Sequence, residues 1–353
     1  MVDTDAVVIG AGPVGLFQVF QLGLLGLRAH LIDVLPEVGG QCMALYPDKP
    51  IYDVPGVPLC TGRELARMLM TQARPFLPLN ATSGQCEQLH LGHMVSELQA
   101  EGDGRFWVRT DRGLQLRARS VFVAAGAGAF VPRTLSLPAL EGAQNVRYHL
   151  NDATMSVLAG QRVVISGGGD EALSAALALA ALPEGQRPAE LTLLHRRDQF
   201  QAEAELDAQV RESLAAGRLN LVVGMPTDAI LANGNVRSLT VLGPDSVARE
   251  VELDELLVRQ GMSPKLGPLS HWGMHLERKQ VSVSPATFES SMAGIYAVGD
   301  INTYPGKKRL LLCGFHEAAL AAHAAAAALN PEAPQHLLYT TTSPLLHQRL
   351  GVS

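Results

Sequence analysis

Cysteine is scarce in this chain. Of 353 residues only four are cysteine, at positions 42, 60, 86 and 313, and none stands two or three positions from another. That spacing excludes a Cys-x-x-Cys redox pair and the usual zinc motifs. Histidines His90/His93 and His271/His275 have ligand-like spacing but lack a neighbouring cysteine or carboxylate cluster. They read as ordinary histidines, and no metal is expected. Charge is also modest, at 18 % of residues against 47 % hydrophobic, which suits folded domains and argues against disorder. The net charge is −6, with no basic domain or stripe, so no nucleic-acid partner is expected. No apolar run approaches the roughly 18 residues that mark a membrane span, so no membrane partner is expected either. The N-terminus "MVDTDAVVIGAG" has no basic stretch before its apolar run. It reads as a strand and not as a signal peptide, and a cytoplasmic location follows by default.

Two glycine-rich loops dominate what is present. The first lies in "DAVVIGAGPVGLFQVFQLGLLGLRAHLIDVLPE". Val7, Val8 and Ile9 form a continuous apolar run, as in a strand buried on both faces. Gly10, Gly12 and Gly15 then give G-x-G-x-x-G. The first glycine makes the tight turn, the second lets backbone approach a pyrophosphate, and the third lets helix and strand pack closely. A helix beginning near Pro13 would aim its free N–H groups at that pyrophosphate. The next strand, "AHLID", ends at Asp33, whose carboxylate can accept hydrogen bonds from an adenosine ribose.

The second loop repeats the grammar in "RVVISGGGDEALSAALALA". Val163 to Ser166 read as a strand, and Gly167, Gly169 and Ala172 give the permitted G-x-G-x-x-A. The strand after its helix ends in His195, Arg196 and Arg197. An acid would repel a ribose 2′-phosphate, whereas guanidinium forks bind one. The first site should therefore hold an unphosphorylated ribose and the second NADPH. Two sites imply two dinucleotides: FAD, held permanently, and NADPH, which exchanges.

The C-terminal third holds "MAGIYAVGDINTYPGKKRLLLCGFHEAALAAHAAAAAL". Ile295 to Val298 read as another buried strand, with Asp300 just beyond its end, where ligands of open α/β sheets bind. An alanine-rich helix from about Gly314 to Leu329 would offer its positive N-terminus to the N1/O2 edge of a reduced flavin.

In this order, G-A-G-P-x-G, the strand end "AAGA" at 124–127, "GGGD" and "YAVGD" resemble the pyridine nucleotide-disulfide oxidoreductases of thioredoxin-reductase type. The likeness is closer still to the ferredoxin/flavodoxin–NADP⁺ reductases of that type. It rests on "GGQCMALYPDKPIYDVPGVP", "AGAGAFVPR", "LHRRDQF", "MSPKLGPLSHWGM", "GIYAVGDINTYPGK" and the tail "YTTTS", from about residue 5 to 345. The resemblance implies an α/β fold with two Rossmann-like dinucleotide-binding domains, the NADPH domain inserted into a discontinuous FAD domain. The crossings fall near 130 and 262: residues 1–130 and 262–353 for FAD, the latter ending in a flavin-covering tail, and 131–261 for NADPH.

Thioredoxin reductases carry their Cys-x-x-Cys in a stretch that here reads "YHLNDATM", residues 148–155. Without that dithiol the flavin cannot hand electrons to a protein disulfide by the usual exchange. A flavin accepts a hydride and releases single electrons, so a one-electron carrier, ferredoxin or flavodoxin, is the expected partner. By resemblance, Tyr46 stacks on one flavin face. Tyr339 covers the other, reaching it from the partner subunit of a homodimer, with Thr340 or Thr341 near N5. No acid–base group or redox cysteine is expected. Gly40, Gln41, Cys86, Phe130 and Asp300 join Gly10, Gly12, Pro13, Gly15, Asp33 and Thr341 as implied FAD contacts. Gly167, Gly169, Asp170, Glu171, His195, Arg196 and Arg197 are the implied NADPH contacts.

This chain departs from its relatives in three places. Glu171 follows Asp170 where many relatives have serine, which should disfavour phosphate there. Gln201 replaces an arginine, which should weaken the preference for NADPH over NADH. The tail reads Tyr-Thr-Thr-Thr where some relatives read His-Ser-Thr-Ser. A similar reductase with a quinone, diffusible flavin or metal chelate as acceptor is an open alternative, as is a non-catalytic redox sensor. For docking an acidic carrier, residues 131–261 are unpromising, with 11 Lys/Arg against 17 Asp/Glu, whereas the flanking segments balance at 17 each. Arg63, Arg67 and Arg74 on one helix, and Lys307, Lys308 and Arg309 just after the Asp300 loop, are either a landing surface or, respectively, an ordinary solvated helix face and a cofactor-contacting lysine.

Overall fold

In a computed structural model the chain is described at every residue except His149, Asn151, 333–335 and Ser353, and except the side chains of 129–131, Asp152, Ala153 and Pro264. It divides into two compact units. One comprises Met1–Phe130 with Pro264–Ser353, and the other Val131–Ser263.

The first unit begins with the apolar strand β1 (Val2–Ile9), helix α1 (Pro13–Leu24) and strand β2 (Ala29–Asp33). Helix α2 (Gly62–Ala73) follows, started by a reciprocal cap in which Thr61 Oγ1 accepts from Glu64 N and Glu64 accepts from Thr61 N. Strands β3 (Leu89–Leu91), β4 (Val95–Ala100), β5 (Phe106–Thr110) and β6 (Gln115–Val123) complete this segment. The order across the sheet is β3-β2-β1-β6-β5-β4. Its first four strands run parallel, with Val7 opposite His30 on one side and Val121 on the other. Burial on both faces explains why β1 reads as unbroken apolar sequence instead of alternating.

The second unit holds a parallel sheet in the order β7-β14-β8-β9-β10. Its strands are β7 (Val146–Arg147), β8 (Arg162–Ser166), β9 (Glu190–His195), β10 (Asn220–Val223) and β14 (Glu255–Val258). One face packs helices α3 (Asp170–Ala180) and α4 (Ala204–Ala215) through Val163, Ile165, Leu191 and Leu193. The other face packs Val164, Leu194 and Leu256 against an antiparallel meander, β11 (Met225–Ala232), β12 (Asn235–Leu242) and β13 (Ala248–Glu252). The alternation of Val163 and Val164 between two cores is the period-two side-chain pattern of a strand.

The chain then returns to the first unit. Strand β15 (Ile295–Ala297) pairs parallel with the C-terminal half of β6, Ile295 opposite Val121. Helix α5 (Leu311–Leu329) starts three residues before the expected Gly314. At 19 residues it is long and apolar enough, by length and composition, to cross a membrane. In this fold it packs on α1, with Phe315 5.1 Å from Phe17 and Glu317 fully buried. Helix α6 (Pro344–Leu350) ends the chain, capped by Ser343 and tied by Arg349 to the carbonyl of Leu24 at the C-terminal end of α1.

Candidate dinucleotide sites

The first glycine loop is built by close approach. Gly10 has φ +110°, and a Cβ there would lie 2.4 Å from the Ala124 carbonyl oxygen. A Cβ at Gly15 would lie 1.8 Å from the Gly10 carbonyl oxygen, so α1 rests directly on the turn. Gly12 differs: the nearest atom to its absent Cβ is Gly40 Cα, at 3.8 Å. Two glycines are thus filled by protein, and the one assigned to the pyrophosphate is left with room. Pro13 takes the first helical position, and the first turn of α1 carries no acid. This end of the helix therefore fits a pyrophosphate.

Asp33 is buried at the end of β2 and already engaged. Its Oδ2 accepts from Ala11 N at 2.5 Å and its Oδ1 from Leu35 N at 2.8 Å. Burial pushes its carboxyl up against the pull of those bonds. Asp33 thus braces the glycine loop, and each oxygen keeps a lone pair to offer.

Other expected flavin contacts converge on this loop. Gly40 packs on Gly12, and the Gln41 side chain covers Gly126 of the "AAGA" turn. Gly299 has φ +80° and lies against Val14, as does Gly314 of α5. The turn carrying Asp300 and the N-terminal turns of α1 and α5 therefore meet in one place. Tyr46 is half-buried, and its phenol accepts from the Cys42 thiol at 3.7 Å. Burial, with the Cys42 contact and the Asp300 and Asp53 charges, pushes the phenol far up, so it stays neutral. Burial likewise raises the thiols of Cys42 and Cys60, leaving little thiolate for exchange chemistry.

Cys86 lies in the loop before β3, its thiol towards Gln88. Tyr339 is 62 % exposed, and the Thr340 carbonyl bonds His347, in a tail tied to the far end of α1. The side chain of Phe130 lies outside the described residues.

Beneath the Asp300 turn is a network that sequence reading missed. Glu317 accepts from Gly299 N at 2.7 Å, Asn302 Nδ2 at 2.8 Å, Tyr304 Oη at 3.0 Å and Lys307 Nζ. Lys307 also donates to the Gly299 carbonyl at 2.9 Å. Its side chain is only 7 % exposed. The expected basic cluster on the surface thus loses Lys307, because a buried carboxylate requires a cation. On α2, Arg63 N bonds the Pro47 carbonyl beside Tyr46, while its guanidinium pairs with Asp48.

The second loop sits at the end of β8. A Cβ on Gly167 would lie 2.1 Å from the Arg259 carbonyl oxygen, and one on Gly168 would strike the His195 ring at 2.5 Å. Gln201 is held by its backbone, its N–H bonding the Gly168 carbonyl at 2.8 Å. Arg196 and Arg197 are exposed, with no hydrogen bond or ion pair to another described residue. Burial and these two arginines lower the His195 pKa. Asp170 accepts from Glu203 N at 2.8 Å, capping α4, and Glu171 pairs with Arg259 at 3.5 Å.

Two sheets, one mixed and one parallel, each with parallel strands whose glycine turn feeds a helix, define a protein with two dinucleotide-binding units. The same fold occurs in thioredoxin reductase from T. acidophilum, at a TM-score of 0.59 and 19 % identity over 93 % of this chain and 99 % of that one. It occurs too in bacillithiol disulfide reductase from Staphylococcus aureus, at 0.63 and 15 % over 94 % and 100 %. The sequence pattern of the pyridine nucleotide-disulphide oxidoreductases matches residues 4–328, and the chain belongs to that family. It is a flavin-dependent oxidoreductase. Curated relatives called ferredoxin–NADP reductase include one from Paracidovorax citrulli, 50 % identical over all of this chain and 97 % of its own length. Another, from Polaromonas sp. (strain JS666), is 49 % identical over 99 % and 93 %.

Proposed function

We propose that the protein is a ferredoxin–NADP reductase, moving electrons between NADPH and ferredoxin or flavodoxin through FAD. One observation carries the reading: two glycine loops of the same design end in opposite chemistry. The first ends in the buried acid Asp33, the second in the exposed pair Arg196 and Arg197. An acid suits a bare ribose and an arginine pair a 2′-phosphate, so the first takes FAD and the second NADPH. The names of relatives that are half identical along the whole chain support the same reading.

FAD, when bound, supplies hydride acceptance and release of single electrons. The rest falls to the chain. Gly12 and the start of α1 receive the pyrophosphate, and Gly40, Gln41 and Asp300 line the adjoining surface. Tyr46, oriented by Cys42, covers one face of the ring and keeps water from it. Tyr339, Thr340 and Thr341 serve the other face from the second subunit of a homodimer, which suits an exposed tyrosine in this chain's own unit. With all four cysteines free and the Cys42 and Cys60 thiols protonated, electrons leave from the flavin itself.

The test is NADPH oxidation coupled to cytochrome c reduction, with and without added ferredoxin or flavodoxin. The carriers should accelerate it strongly. Turnover with dyes and none with either carrier would assign another acceptor.

A further inference from the structure

The N-terminus of α3 has an electrostatic problem that α1 lacks. Its first turn holds two acids, Asp170 and Glu171, where the first turn of α1 holds none. A helix N-terminus attracts a pyrophosphate, but carboxylates in the same turn repel it. Asp170 is turned aside to cap α4. Glu171 faces Arg259, with Nη2 3.5 Å from its Oε2.

Arg259 directly follows β14, which the sheet order places beside β8. Its carbonyl presses on Gly167, so the residue is part of the wall of the glycine loop. Its Nη1 donates to the Tyr148 carbonyl at 2.9 Å. Its Nε is buried with no hydrogen-bond partner among the described residues, a costly state for a cation donor. The guanidinium is therefore fixed at one corner by Tyr148, only loosely paired with Glu171 at 3.5 Å, and partly exposed beside the glycine loop.

We infer that Arg259 is a nucleotide-binding residue: it neutralises Glu171 and supplies the cation that lets the second loop hold a pyrophosphate. This rests on the second loop being the NADPH site. Pyrophosphate is common to NADPH and NADH, so Arg259 acts on both, whereas Arg196 and Arg197 act on the 2′-phosphate alone.

The test is equilibrium binding of NADP⁺ and NAD⁺ to the flavin-loaded protein by calorimetry, with flavin content and thermal midpoint as folding controls. Arg259→Ala should weaken both nucleotides by about tenfold or more, the worth of a charged hydrogen bond. Glu171→Gln alone should change affinity by no more than about threefold. The double variant should recover the part of the loss that the unpaired acid causes, leaving it tighter than Arg259→Ala and weaker than the parent. Arg259→Lys, which keeps the charge, should retain more affinity than Arg259→Ala and stands in for it should the alanine variant not fold. Unchanged binding in Arg259→Ala, alongside a selective NADP⁺ loss in Arg196→Ala/Arg197→Ala, overturns this inference alone. Failure of Glu171→Gln to rescue overturns the neutralising role. If neither arginine set affects either nucleotide, the second loop is not the site and the functional reading falls with it.

Discussion

The two glycine loops share a fold and solve opposite problems. At the first, the third position must be glycine, because Gly15 sits on the Gly10 carbonyl; at the second, Ala172 occupies that position and is fully buried. At the first loop the strand after the helix ends in a buried acid with both oxygens bonded to backbone; at the second it ends in exposed arginines without partners among the described residues. The first helix turn is free of charge, while the second carries two acids, one capping α4 and the other facing Arg259. A site closed by its own packing suits a cofactor that stays. One lined by exposed cations suits a nucleotide that comes and goes.

The contrast breaks most visibly at the third position. Gly15→Ala places a carbon where the Gly10 carbonyl oxygen now lies, and should cost about 1–3 kcal/mol or more and leave the protein short of flavin. The counterpart Ala172→Gly should cost about 1 kcal/mol, the helix penalty of glycine, and keep its nucleotide. Flavin content and thermal midpoint read both, and equal losses would erase the difference in closure. Next in size, replacing Arg196 and Arg197 with alanine should raise the KM for NADPH about tenfold more than that for NADH. Parallel rises would remove these residues from the 2′-phosphate.

A smaller effect tests the buried character of the first unit. His30 on β2 shares a hydrogen bond with His90 on β3, Nδ1 to Nε2 at 2.9 Å, and burial lowers both to about 4. A histidine lowered in the folded state favours the fold above its free value of about 6.5 and loses that contribution as pH falls to about 4. Each site then weakens the fold by about 1.4 kcal/mol per pH unit within that window. Thermal midpoint and released-flavin fluorescence should change together across it. Flat profiles between pH 6.5 and 4 would show the histidines to be solvated.

Both loops were legible in sequence because strand, turn, helix and strand-end lie within some thirty consecutive residues. "AHLID" ends at Asp33 as expected, and α1 starts at Pro13. The partners of Glu171 and Lys307 were not legible. Arg259 reaches the second loop only because β14 pairs with β8, a contact between segments about ninety residues apart. Lys307 reads as one of three exposed cations until α5 brings Glu317 beneath it. The early start of α5 had a local cause: Leu310 to Leu312 carry no capping side chain or breaker that marks an end.

The central claim is that electrons pass through the flavin alone, with no dithiol between it and the carrier. An anaerobic reductive titration of the flavin-loaded protein tests it most directly. Full reduction should consume two electrons per flavin, the capacity of the ring itself. Consumption of four, with thiols appearing in step, would reveal a redox-active disulfide and contradict the account.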